Sequence, residues 1–362
     1  MADAPARPED LTVEEARDRW LTKQTDKTDR TMRSYRNRSD KLVEWADDQA
    51  IETVDDLTPF LIDQFDLYIK DTNDSPATIR GILQTCKQFL DYLVQIAASE
   101  QELPDAVDVP VLNRQEASSD KRLDPEEAER LLDNYRNNIA TFGTPEHAFL
   151  ELAWYTGARL GALRGLDLED YDPEKQRVYF RHQPSTETPL KNKVQGERYV
   201  GISENVVAAI DAYIERERTD KRDVHGRRPL FCARQGRPSW TTLRAWSYRA
   251  TQPCVYGPCP HDKDPATCSY RERNHSSKCP SSRSPHHLRT GSITWQLNRG
   301  LPVEVVAARV NASPRVIREF YDAADTLEEF EERRSTARDV LSVGSEVSDD
   351  DQPADKLEPN DE

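Results

Sequence analysis

The sequence predicts a mainly α protein with one small antiparallel sheet (α+β), arranged as an N-terminal helical domain followed by a larger second domain. Three observations predict it. Helical periodicity with capping signals runs from residue 11 to the region of residue 100. The polar stretch "ELPDAVDVPVLNRQEASSD", with two prolines, then breaks that periodicity. Beyond it, alternating β-branched and aromatic residues cluster in one place, between helical stretches. At 362 residues the chain has room for two or three domains with sizeable cores.

In the first domain, "LTVEEARDRWL" offers Thr12 as N-cap with Glu15 three residues later, the spacing of a capping box. "TDRTMRSYRNRSDKLVEWADD" sets Met32, Tyr35, Leu42 and Trp45 on one helix face, with Arg30, Arg33, Arg36, Arg38 and Lys41 beside it. "DDLTPFLIDQFDLYIKD" reads as a third helix. "SPATIRGILQTCKQFLDYLVQIA" reads as a fourth, with Ser75 as cap and Pro76 at its first position. In the second domain "LDPEEAERLLDNY" and "PEHAFLELAWYTGARLGALRGL" are helical. "RVYFRHQ", "ETPLK" and "ERYVGIS" read as strands, and helices return from "NVVAAIDAYIERER". The boundaries expected are a flexible 1–10, a helical domain 11–103, a linker 104–120, a second domain 121–335 with a Cys-rich insertion at 250–282, and an acidic disordered tail 336–362.

Charge argues in two directions. The composition is 32% charged, with a formal net charge of −16, and phosphate repels acidic surfaces. Yet Asp339 to Glu362 holds nine acids and one lysine, half of the excess, in a segment too poor in apolar residues to build a core. Arg227 to Ala250 holds six arginines and no acid, and Thr267 to Arg299 sets six basic residues against Glu272 alone. Such segments can face phosphates while acidic surface covers the rest. No apolar run is long enough to span a membrane, and "MADAPARPED" lacks the features of a secretory signal. A cytoplasmic protein is expected, and the acidic excess suits a salt-rich cytoplasm.

Four of six cysteines fall in "CVYGPCPHDKDPATCSYRERNHSSKC". In a reducing compartment they read as metal ligands before disulfides. Cys254, Cys259, Cys268 and Cys279 suit a closed tetrahedral structural Zn²⁺ site, with His261 or His275 open as a replacement for one thiol. Unligated loop thiols and two disulfides are the alternatives. Cys86 and Cys232 stand apart and read as buried apolar residues.

Three motifs carry chemistry. "TGARLGALRGL" places Arg159 at the start of a helix. "SPHHLRTGSITWQLNRG" places His286 and Arg289 three apart, on one face of a first helical turn, where free N–H groups favour anions. "SPRVIREFYDAAD" is a helix capped by Ser313, with Pro314 first and Tyr321 near its end. Arginine, then His-x-x-Arg, then a C-terminal tyrosine, with a hairpin between the first two, resembles the tyrosine recombinase (phage integrase) family. The resemblance covers roughly residues 121–330 and, more loosely, the N-terminal domain.

That resemblance implies a core-binding domain and a catalytic domain that clamp double-stranded DNA, with a homotetramer on two sites during synapsis. It implies that Arg159 and Arg289 grip the non-bridging oxygens of a phosphodiester and that His286 donates to the phosphate or accepts a proton. Tyr321 would attack, leaving a 3′-phosphotyrosyl bond and a free 5′ hydroxyl, with no metal or ATP required. A hairpin lysine, Lys191 or Lys193, would protonate the leaving oxygen. The sequence departs from the family at Ala162, often acidic there, and at Asn311, often His or Trp, which can still donate one hydrogen bond. His287 is expected to be secondary. Arg33, Arg36, Arg80, Arg237, Arg244 and Arg283 are candidates for phosphate contacts along the duplex. A non-cleaving, sequence-specific DNA-binding protein on the same scaffold is the alternative that Ala162 and Asn311 would favour.

Overall fold

The expected helices form where caps mark their starts. The structure, a computed structural model, describes residues 7–113, 116 and 121–320 and divides the chain into two units, Met1–Asp120 and Lys121–Glu362. Most of the expected flexible start, the end of the linker and the whole acidic tail therefore lie outside the described residues.

The first unit contains α1 (Val13–Thr22), α2 (Asp29–Asp48), α3 (Pro59–Thr72) and α4 (Pro76–Gln95). Thr12 and Glu15 make both bonds of the capping box, each 3.1 Å. Ser75 caps α4 and Pro76 occupies its first position, where a missing N–H costs nothing. Trp20, Leu42, Trp45, Phe65 and Phe89 fill the core, and Met32 and Tyr35 pack against it, as the helix face of α2 predicts. Arg17 is 3% exposed, its charge met by Asp18, Asp40 and Glu14. The core extends past residue 103: Leu103, Pro104 and Val107 are buried, and Lys87 Nζ donates to the Pro104 carbonyl at 2.9 Å. The first residues of the expected linker thus belong to this unit.

The second unit contains α5 (Pro125–Asn137), α6 (Pro145–Thr156) and α7 (Leu160–Gly165). A three-stranded antiparallel sheet follows, β1 (Tyr171–Asp172), β2 (Arg177–Phe180) and β3 (Arg198–Gly201), with Val178 paired to Val200 and Phe180 to Arg198. Then come α8 (Glu204–Arg216), α9 (Trp240–Ala250), α10 (Pro285–Asn298), α11 (Val303–Val310) and α12 (Pro314–Phe320). "ETPLK" is not a strand; it contributes one isolated bridge, Gln183 to Thr188. Pro184 and Pro189 lack the N–H a ladder needs, and Glu187 turns the backbone with φ +58°.

The core of this unit is built around α6, whose Ala148, Phe149, Leu150, Leu152 and Trp154 are all buried. Its polar residues are paired. The Gly143 N–H donates to His147 Nδ1 at 3.0 Å, so a neutral His147 carries its proton on Nε2, 3.4 Å from Glu151 Oε1. Arg136 closes on both oxygens of Glu151 at 2.7 and 3.0 Å. A second network centres on Asp167, 3% exposed, which accepts from Arg227 and Arg237.

Helix α10 crosses this core at Gly291. A Cβ there would lie 1.9 Å from the Leu123 carbonyl oxygen and 2.9 Å from the Trp154 ring. Overpacking of this kind costs about 1–3 kcal/mol. Gly291→Ala should lower the denaturant midpoint of the second unit. Gly257→Ala, with nothing within 4 Å of the new carbon, should leave it unchanged.

Candidate active site

The C-terminus of α11 organises the site. Asn311 ends the helix in the left-handed region, φ +56°, ψ +60°, and turns the last carbonyls away from any helical partner. Three arginines from three separate segments donate to three successive carbonyls. Arg198 Nε reaches Arg309 O at 2.6 Å, Arg289 Nη1 reaches Val310 O at 2.6 Å, and Arg159 Nη1 reaches Asn311 O. The negative end of the helix dipole lies where these cations gather.

Each arginine is delivered by local structure. Helix α6 stops at Gly157, φ +58°, and its carbonyl takes a second bond from Arg289 Nη1 at 2.7 Å. A Cβ on Gly157 would lie 2.9 Å from Val310 Cγ1, so both the turn and the close approach of α11 need glycine. Two residues on, Arg159 is the extended residue that opens α7. Arg289 lies in the second turn of α10 and is 4% exposed.

The two histidines before Arg289 divide the work. His287 completes a capping box: its Nδ1 accepts from the Ser284 N–H at 3.3 Å, while Ser284 Oγ accepts from the His287 N–H at 3.3 Å. It ties down the helix start, as its secondary standing in the sequence suggests. His286 is exposed to solvent at its edge, yet lost hydration, and then the charges of Arg289 and Arg159, push its pKa below the ordinary histidine value. His286 and Arg289 therefore share one electrostatic field with Arg159, which is far from them in the chain.

Arg198 is the site residue that the sequence reading missed. It pairs across β2 with buried Phe180 and lies two residues before buried Val200, so it occupies the inward face of β3. A charge at an inward strand position was the available signal. Its guanidinium lies 4.4 Å from the centre of the Phe180 ring. Burial, then the charges of Arg289, Arg159 and Arg309, push its pKa down to about 9. Since guanidinium does not give up its proton in proteins, that shift expresses the cost of burying this charge beside other cations, which an anion would relieve.

Lys191 and Lys193 are exposed in the turn between β2 and β3, outside any strand. Neither side chain has a hydrogen bond or ion pair among the described residues. Asn311 does not hold its amide free: its Oδ1 accepts from Asn192 Nδ2 at 2.7 Å. Ala162 is 8% exposed and part of the core, where an acid would meet apolar neighbours. Tyr321 lies outside the described residues; α12 is described to Phe320, with Ser313 Oγ accepting from the Val316 N–H at its start.

Among the duplex-contact candidates, Arg33, Arg36, Arg80 and Arg244 are exposed, Arg36 sharing Asp18 at 2.8 Å. Arg283 is half-buried and holds the carbonyls of Arg122 and Pro280. Arg237 requires a correction. Its side chain is 4% exposed and bound to Asp167 and Asp223, so it belongs to the fold and presents nothing to a phosphate. The acid-free run misled at Arg237 because its acids arrive from residues 167 and 223.

Cys86 and Cys232 are buried, and burial pushes the Cys86 thiol up to about 12. Cys254, Cys259, Cys268 and Cys279 line one small cavity together with His261, and none is in a disulfide. His275 lies 3.4 Å from Glu272 and is not in that lining. Among the described residues, no group of three or more His, Cys, Asp or Glu side chains is placed to hold a metal ion. No helix among them is long and apolar enough to cross a membrane.

Residues 121–253 match the phage integrase family. The chain is 39% identical to the N-terminal domain of a phage integrase/site-specific recombinase from Haloarcula marismortui, over 28% of this chain and 97% of that one, with a TM-score of 0.27. Its fold is similar to that of the Tn1549 transposon integrase in complex with a circular intermediate DNA, at 16% identity, over 91% of this chain and 99% of that one, with a TM-score of 0.61. It is also similar to a lambda integrase dimer bound to a core site, at 14% identity, over 98% and 82% of the two chains, with a TM-score of 0.56. No curated protein matches the chain.

The field shared by His286 and the arginines is measurable. The imidazole should titrate below the reference value of 6.5. Arg159→Gln, which removes one of the two charges, should raise that midpoint in an NMR titration. A midpoint unmoved by the substitution would mean the three groups do not share a site.

Proposed function

Because the chain belongs to the phage integrase family of tyrosine recombinases, we propose that it is a site-specific DNA recombinase, or integrase, that cuts and rejoins duplex DNA through a 3′-phosphotyrosyl intermediate. The observation that carries this reading is the gathering of Arg159, Arg289 and Arg198 on three successive carbonyls, within the electrostatic reach of His286. Such a site is built for one phosphodiester. Two forked guanidiniums stabilise the added negative charge of a pentavalent transition state. His286, whose neutral form is favoured by lost hydration and then by the charges of Arg289 and Arg159, can donate to a phosphate oxygen from one nitrogen or accept a proton at the other.

In this reading the Tyr321 oxygen attacks phosphorus, the bond from phosphorus to the 5′ oxygen breaks, and Lys191 or Lys193 gives that oxygen a proton. The tyrosyl ester conserves the bond energy, so rejoining to a new 5′ hydroxyl needs no ATP and no metal. The two units clamp double-stranded DNA, and a homotetramer holds two sites during exchange, acting in the cytoplasm. Exposed Arg33, Arg36, Arg80 and Arg244 contribute phosphate contacts that position the protein without reading sequence.

The cysteine insertion belongs to this reading as a staple. We propose that a structural Zn²⁺ draws Cys254, Cys259, Cys268 and Cys279 together. Supporting it is the cavity that the four cysteines share; among the described residues no group of three or more is already placed to hold the ion. Metal analysis of protein purified without added zinc should find about one zinc per chain, the load of a single four-thiolate site. The Cys259→Ser, Cys268→Ser double variant should lose it. Metal-free, reduced wild-type protein would remove the proposal.

Recombinase chemistry itself is tested on a nicked suicide duplex, from which the cut strand cannot be rejoined. Wild type should accumulate a covalent protein–DNA adduct. Tyr321→Phe, which removes one oxygen and little volume, should form none while binding the duplex with similar affinity. Duplex binding by wild type without any adduct would instead support the non-cleaving DNA-binding protein.

A further inference from the structure

The turn that carries Lys191 and Lys193 is attached to the arginine site at three points. Asn192 Nδ2 donates to Asn311 Oδ1 at 2.7 Å. Gly196 lies so close beneath the same amide that a Cβ would stand 2.5 Å from Asn311 Nδ2. Arg198 then holds the Gly196 carbonyl with Nη1 at 3.0 Å and the Arg309 carbonyl with Nε at 2.6 Å. These three residues flank Lys193 and begin one position after Lys191. The turn is otherwise exposed from Lys191 to Gln195, between buried Leu190 and buried Gly196. Internally it has few bonds, chiefly Lys193 N–H to Leu190 O and Glu197 N–H to Val194 O, both 3.0 Å.

We propose that Asn192, Asn311, Gly196 and Arg198 form a latch that seats the lysine-bearing turn on the C-terminus of α11, placing the leaving-group acid in register with Arg159 and Arg289. The proposal rests on the recombinase reading above and deepens it. Asn311 becomes a positioning residue: its side chain faces the turn, while its backbone carbonyl holds Arg159. One helix end thereby sets the acid and the arginines together. An acid must come within hydrogen-bond reach of the oxygen it protonates, and a shift of about 1 Å can cost on the order of 10²-fold in rate. An unlatched turn keeps its lysines but delivers them badly.

The latch makes a prediction that a general structural role does not. In a duplex with sulfur bridging to the 5′ carbon at the cut, the phosphorus–sulfur bond breaks and the thiolate leaves without a proton, so no acid is needed. Two variants serve as probes. Asn192→Ala alters only an exposed turn side chain, and Asn311→Gly removes the amide while keeping the left-handed conformation easy. Each should slow adduct formation on the oxygen duplex by on the order of 10²-fold and approach the wild-type rate on the sulfur duplex. The double variant should be no slower than the worse single one, because both remove the same bond. Equal slowing on both duplexes, or none on either, overturns the latch. Amide hydrogen exchange without DNA decides it independently: residues 191–197 should exchange faster in both variants, and unchanged exchange counts against it. Failure of wild type to form adducts on either duplex would overturn the recombinase reading, leaving the exchange result to judge the attachment of the turn.

Discussion

Three backbone carbonyls at the end of one eight-residue helix hold the site together. The last carbonyls of any helix lack intrahelical donors and carry the negative end of its dipole. Most proteins give them to water or a glycine cap. Here the left-handed Asn311 aims three in succession at Arg198, Arg289 and Arg159. Hydrogen bonds from charged donors contribute roughly 1.5–3 kcal/mol each, enough to orient long side chains that would otherwise sample many rotamers. Helix α12 begins three residues later, so the element leading toward Tyr321 starts from the same anchor.

Arginines of the second unit are held in two ways, by carboxylates and by backbone carbonyls. Arg136, Arg181, Arg227 and Arg237 meet carboxylates at Glu151, Asp170, Asp167 and Asp223, where unit charge cancels unit charge. Losing one partner of such a buried pair leaves an unmet charge, which is why these networks must remain complete. Arg198 is instead held by carbonyls and an aromatic face. Carbonyls fix the direction of a guanidinium without cancelling its charge, and the depressed pKa of Arg198 records its burial first and then the repulsion of its neighbours. An acidic chain can therefore keep a strongly positive centre: its net charge describes its surface and tail, and the site is set by local pairing.

The histidine doublet shows the same division at the scale of two residues. His287 spends its ring nitrogen and backbone N–H on the Ser284 cap, which fixes the first turn of α10. His286, one residue earlier, is rotated by a helical step onto the side of the arginines. The insertion carrying the cysteines ends immediately before this cap, and Arg283 ties its exit to the Arg122 carbonyl. The presentation of His286 thus depends on a short run of polar contacts rather than on apolar burial.

The sequence by itself determined whatever depends on neighbours within a few residues. The caps at Thr12, Ser75 and Ser313, the buried face of α2, the His-x-x-Arg turn and the order of the three motifs are all short-range, because helix periodicity and capping act across three or four positions. Even the inward charge at Arg198 was legible as a strand pattern. Only the tertiary structure decided which arginines are structural, since the acids that bury Arg237 come from residues 14 and 70 positions away. It alone showed that "ETPLK" is a turn, that Leu103 and Val107 complete the first core, and that Asn311 faces the lysine turn 119 positions earlier. The physical reason is common to these cases. A charge or an amide is defined by its partner, and when that partner is distant in the chain, no local pattern contains it.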